Sequence, residues 1–177
     1  MLGFWDDDAA LDRFLAEHKT AKRLAGGWRV RLVPERLFGS WPGVDPDIPR
    51  SRAVTREGPV AVLTLGRTRM SQFPRFAKTS NKAENAALVA PGLVWTTGMA
   101  KPPFLATCSL WRSAEDATAY AYSQPDAGHP AAITEDRRKP FHHQSAFIRF
   151  RPYASEGHLV GKNPLHEQWL ESAAPAT

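Results

Sequence analysis

The sequence predicts an α+β protein built on ferredoxin-like units, one complete and one partial. Three observations predict it: short β-rich apolar runs separated by helical periodicity, a second half ordered β-α-β-β-α-β, and an abundance of turn residues. The 177 residues contain 15 prolines and 12 glycines, which suits many turns better than a helical bundle. A chain of this length buries a real core, either as one large domain or as two small ones.

The first unit, residues 1–40, opens on Leu2-Gly3-Phe4-Trp5 and enters a helix. Asp6, Asp7 or Asp8 can cap it, because a short carboxylate accepts the orphan N–H groups of a first turn. Leu11, Phe14, Leu15 and His18 recur at helical spacing, and Gly26-Gly27 stops the run. His18 reads as a packed, hydrogen-bonded member of that stripe. Residues 28–38 alternate as a strand, with Trp28, Val30 and Leu32 on one face and Pro34 marking an edge or a bulge. This unit has only a strand end, a helix and a strand, so it must pack on the second unit or on a partner chain. Residues 41–58 read as a linker.

The second unit covers residues 59–157, followed by a tail over 158–177. Residues 60–65 form a buried strand. Two helical pieces follow, one after Ser71 and one near residues 82–90, with Gly92 as the stop. Strands over 93–97 and 104–111 flank the Pro102-Pro103 turn. Ser113 and Asp116 have capping-box spacing before a helix carrying Ala117, Tyr120 and Ala121. A loop through residues 124–128 leads to a helical segment after Pro130, and the last strand spans about 145–151.

Composition excludes several classes. The formal charge is +5, but its one dense patch, Arg137-Arg138-Lys139, follows Glu135 and Asp136. No concentrated basic face or nucleic-acid module is present, so nucleic acid is not an expected partner. No run approaches the roughly 18 apolar residues of a transmembrane helix. MLGFWDDD has no basic region or apolar stretch, so no secretory signal is expected. One cysteine, Cys108, gives no disulfide framework and suits the cytoplasm. It reads as a small buried hydrophobe. The glycines form no phosphate or dinucleotide fingerprint.

Several residues have side chains suited to chemistry. His129 follows a loop and precedes Pro130; a neutral imidazole there can serve as an axial metal donor, against the plainer reading of a loop histidine. Adjacent His142 and His143 point to opposite faces of a strand and do not share one metal ion. Arg67 and Arg69 end the first strand of the second unit, where a guanidinium fork can hold an anionic group or polarise a reacting oxygen. Their ordinary alternative is surface arginine. Trp95, Trp111, Phe104, Phe147 and Phe150 alternate within strands; they are mainly core, with Trp95, Trp111 and Phe147 as candidates for lining a pocket.

Three ordered stretches carry a family resemblance. They are Pro59-Val60-Ala61-Val62-Leu63-Thr64; Cys108-Ser109-Leu110-Trp111-Arg112-Ser113 with Ala119-Tyr120-Ala121-Tyr122; and Phe147-Ile148-Arg149-Phe150-Arg151-Pro152-Tyr153-Ala154-Ser155-Glu156-Gly157. In order and content the chain resembles the spheroidene monooxygenase family of carotenoid-oxidising enzymes, apparently shortened at its N-terminus. The resemblance implies a ferredoxin-like fold of the dimeric α/β-barrel type. It also implies haem b, with His129 as its ligand; on that reading Trp95, Trp111 and Phe147 are the candidates for lining the pocket, and Arg67, Arg69 and His142 are the candidate catalytic residues. An apolar isoprenoid substrate and a ferredoxin-type electron donor would follow, in a cytoplasmic or membrane-peripheral protein. Where the family tends to carry an aromatic pair and two glutamates, this chain has Phe141-His142 and Gln144-Ser145. Where it commonly has a glycine-rich stretch with a glutamate, this chain has Gly98-Met99-Ala100-Lys101. These losses keep two further readings in play: a cofactor-free oxygenase of the same fold, and a non-catalytic haem or apolar-ligand carrier. Homodimerisation and packing within one chain are both compatible with the incomplete first unit.

Overall fold

The computed structural model describes residues 1–44, 47–51, 57–122 and 134–165. Helix α1 (Asp8–Glu17) starts at Asp7, whose carboxylate accepts the Ala10 N–H at 2.7 Å. The predicted single run breaks at His18. There the imidazole Nδ1 accepts the Thr20 N–H at 3.2 Å and caps α2 (Lys19–Leu24). His18 is exposed and stacks on Phe14 at 4.9 Å, so it is hydrogen-bonded but lies outside the core. Strand β1 (Arg29–Gly39) follows, and Pro34 lies at a bulge, as an edge strand tolerates.

The later elements are β2 (Val60–Thr68), a 3-10 turn (Met70–Gln72), α3 (Phe73–Leu88), β3 (Leu93–Lys101), β4 (Phe104–Trp111), α4 (Ala114–Tyr122) and β5 (His142–Glu156). From β2 to β5 these give the order β-α-β-β-α-β. The two helical pieces expected over 71–90 are one helix. No glycine or proline separates them, and Thr79 bonds back to the Arg75 carbonyl at 3.0 Å. Ser113 caps α4 by accepting the Asp116 N–H at 3.0 Å. Residues 134–138 form a helical turn just before β5.

All five strands share one antiparallel sheet in the order β1-β5-β2-β4-β3. The α+β class stands, but the barrel does not. Among the described residues the sheet is open, with no further strand paired to β1 or β3, whereas a barrel needs its first and last strands hydrogen-bonded. The bulge and proline of β1 bend that edge away from regular pairing.

Strand alternation divides the apolar residues between two faces. On one face Leu37, Ala61, Leu63, Leu110, Ala146, Ile148 and Phe150 form the main core. Ile48 and Leu165 are buried in that cluster, with Trp41 and Val44 packed against it. On the other, helical face, Val60 and Trp111 pack with Ala114, Ala117 and Tyr120 of α4. The Tyr120 hydroxyl donates to the Ala83 carbonyl at 2.8 Å and ties α4 to α3.

Candidate functional site

The end of β2 and the start of β5 meet beneath α3, and titratable groups gather at this corner. Thr68 pairs with His142, past a bulge that shifts the register after Arg67. Gly66 alternates with Thr64 and Thr68 onto the helical face. The His142 imidazole rests on it: a Cβ at Gly66 would lie 2.6 Å from Cδ2 and 2.7 Å from Nε2. A glycine inside a strand commonly marks such a close approach. Phe76 of α3 closes the ring from the side, edge-on at 5.3 Å.

Asp136 supplies the carboxylate. Its Oδ1 accepts the Phe141 N–H at 2.7 Å and lies 3.5 Å from His142 Nδ1. Arg75 anchors the turn that carries Asp136. It reaches Glu135 at 3.3 Å, donates to the Lys139 carbonyl, and lies over the Phe141 ring at 4.2 Å. The His142 side chain is 19% exposed. Burial pushes its pKa below the ordinary 6.5, and the Asp136 carboxylate opposes that shift. At neutral pH the ring is therefore mostly uncharged, with Nδ1 directed to Asp136 and Nε2 against Gly66.

Of the three residues expected to be catalytic, the structure brings Arg69 and His142 together and places Arg67 elsewhere. Arg69 donates from Nε to the His142 carbonyl at 3.3 Å, and its own N–H bonds the Phe141 carbonyl at 2.7 Å. It fixes the backbone of the site. Arg67 alternates to the opposite sheet face, where its guanidinium lies 6.0 Å from the Phe104 ring centroid. His143 is exposed and takes no part in the pair.

The pocket candidates lie apart. Trp95 packs edge-on against Trp28 at 5.4 Å beside the main core. Trp111 is 2% exposed on the helical face, stacked on Tyr120 at 5.0 Å and bonded from Nε1 to Ser109 at 2.9 Å. Phe147 lies 6.2 Å from Phe38. Cys108 is half-buried, and burial pushes its thiol pKa up, which keeps it protonated.

His129 lies outside the described residues. Among the described residues no group of three or more His, Cys, Asp or Glu side chains gathers to hold a metal ion. As an alternative iron ligand His142 does not fit. Its Nε2 edge rests on Gly66 with no room for a porphyrin between them. Sequence reasoning missed Asp136, Phe76 and Gly66. Asp136 reads as part of a charged surface patch and Phe76 as helix core, but a glycine in the apolar run 60–65 plus one was a usable signal of close packing.

An open antiparallel sheet with helices on one face is the class this architecture defines. A crystal structure from Fusobacterium nucleatum, whose own assignment as a monooxygenase is provisional, shares it with a TM-score of 0.51 and 10% identity, over 86% of this chain and 68% of that one. This likeness concerns the fold alone. No family profile matches the chain. By sequence it is 31% identical over 164 residues to the spheroidene monooxygenase of Rubrivivax gelatinosus, covering 89% of this chain and 61% of the relative. It is 26% identical over 182 positions to that of Rhodobacter capsulatus, covering 97% of this chain and 73% of the relative. Both relatives are spheroidene monooxygenases, and the chain is similar to that family over most of its own length. It spans 61% of the length of the first of these relatives. No helix among the described residues is long and apolar enough to cross a membrane.

Proposed function

We propose that this chain is a monooxygenase-type oxidoreductase acting on an apolar, isoprenoid-like substrate, with His142 and Asp136 as its proton-handling pair. The kinship with two spheroidene monooxygenases supports the reaction class and the substrate class. The single observation that carries the site is a half-buried imidazole held between a carboxylate and a glycine floor.

A monooxygenase places one oxygen atom of O2 in the substrate and reduces the other to water, consuming two electrons and two protons. The two electrons come from an external reductant: a ferredoxin-type protein suits the haem reading, and the cofactor-free reading requires a two-electron donor that reacts with O2 and substrate directly. In this chain, His142 Nε2 holds or releases a proton beside the reacting centre, and Asp136 keeps the proton on Nδ1. Arg69 fixes the backbone, and Phe76 and Phe141 exclude bulk water. A positioned histidine of this kind typically contributes about 10²–10⁴-fold.

The described residues favour a cofactor-free oxygenase of the same fold over a haem enzyme, because the His142 Nε2 edge is packed on Gly66 and is not free to take an iron. The haem reading rests on family resemblance and His129. The test is an absorption spectrum of protein produced with excess haem precursor, paired with an oxygen-uptake assay on an apolar polyene and a reductant. Substrate-dependent uptake without a Soret band supports the cofactor-free reading. Uptake that requires a Soret band lost in His129→Ala replaces it with haem chemistry. Saturating haem or polyene binding without uptake leaves a carrier.

A further inference from the structure

The arginines of β1 and β5 take no part in the corner site. Arg36 stands directly opposite Arg149, and Val33 opposite Arg151, so pairing and alternation put them on one sheet face. Like charges directly opposite each other repel. Glu35, the extra residue of the β1 bulge, offsets part of that charge, with its carboxylate oxygens 3.5 Å from Arg149 Nε and 3.4 Å from Arg151 Nε. Arg149 and Arg151 thus share the Glu35 carboxylate, and no ion pair of Arg36 with an acid occurs among the described residues. The Arg149 and Arg151 side chains are only 15% and 13% exposed. Arg36 Nε and Arg151 Nη1 are buried and have no hydrogen-bond partner among the described residues. Buried charged donors of this kind are costly without an acceptor, and a guanidinium fork matches the oxygens of a phosphate.

Apolar surface adjoins them on the same face. Phe38 pairs with Phe147, one step along from Arg36 and Arg149, and is 58% exposed; Val33 is 36% exposed. A free inorganic anion would use the arginines and leave these side chains in water. An anion that carries an apolar tail uses both. We propose that this face of β1 and β5 binds an anionic phospholipid headgroup, with the phosphate on Arg36 and Arg151 and the acyl region against Phe38 and Val33. Such a site would hold the protein at a membrane surface, where apolar molecules reside, and it stands or falls independently of the His142 pair.

The test is co-sedimentation of the full chain with vesicles of phosphatidylglycerol and phosphatidylcholine, against pure phosphatidylcholine. Binding is expected on the anionic vesicles, weakened about fivefold or more by Arg36→Gln. Arg112→Gln, which removes the same charge from an exposed position, should change it by less than about twofold. Thermal melting of each variant separates lost binding from lost folding, and Phe38→Ser probes the apolar contact without touching the charge. Equal losses in Arg36→Gln and Arg112→Gln would reduce the effect to net charge and overturn the proposal. So would saturable binding of inorganic phosphate without vesicle preference, or no binding to anionic vesicles.

Discussion

Asp136 Oδ1 lies 3.5 Å from His142 Nδ1 while accepting the Phe141 N–H at 2.7 Å. One carboxylate oxygen thus locks the backbone that starts β5 and orients the first imidazole on it. Replacing Asp136 with Asn removes the negative charge that holds the His142 pKa up, and leaves the burial that pushes it down. The His142 pKa should therefore fall further in Asp136→Asn, as read by NMR titration of its ring protons. An unchanged or raised pKa would show that the two side chains do not interact in solution.

Stability should depend on pH through the same residue. The folded His142 pKa lies below 6.5, so the unfolded chain binds the extra proton more readily. The contribution of the neutral ring is fully present above pH 6.5 and is lost as pH falls toward the folded pKa. Denaturant melts across this window should show stability rising with pH, and His142→Phe should flatten that slope. An unaltered slope in the variant would assign the dependence to other groups.

Gly66 is the floor beneath the ring. A methyl group there meets Cδ2 and Nε2 well inside contact distance, so Gly66→Ala forces the imidazole off its seat. Displacement of this kind costs about 1–3 kcal/mol. The loss of activity should exceed what the loss of stability explains at a temperature where the variant remains folded. Full activity in a folded Gly66→Ala protein would place the chemistry elsewhere.

Thr68 is 1% exposed, and its Oγ1 has no hydrogen-bond partner among the described residues. Valine has nearly the same shape and no hydroxyl to desolvate. Thr68→Val should be neutral or should stabilise the fold by about 1 kcal/mol in urea titrations. A clear destabilisation would mean that the hydroxyl has a bonded partner in solution.

Much of the architecture was legible because local signals and tertiary packing agree. The alternation of Trp28, Val30 and Leu32, the bulge at Pro34, the Ser113 cap and the β-α-β-β-α-β order all appear in the fold. The barrel was not legible, because closure depends on which strand edges meet, and among the described residues the sheet is open at β1 and β3. The split expected in α3 failed because Thr79 and Ser80 lower helix propensity without breaking the backbone ladder. His142 stood out as a residue type, but its partner did not. Asp136 is six positions away, and a bend of the chain through Lys139-Pro140 brings it back, which no periodic pattern encodes. Trp95, Trp111 and Phe147 looked alike in the sequence, yet they occupy separate parts of the sheet.

The most direct test of the central claim is product analysis after incubation under ¹⁸O2 with an apolar polyene and a reductant, comparing the native chain with His142→Gln. One labelled oxygen atom should enter each molecule of product, with the rate falling about 10²-fold or more in the variant. Unlabelled product, or equal rates from the native and variant proteins, would contradict a monooxygenase that uses His142 to handle protons.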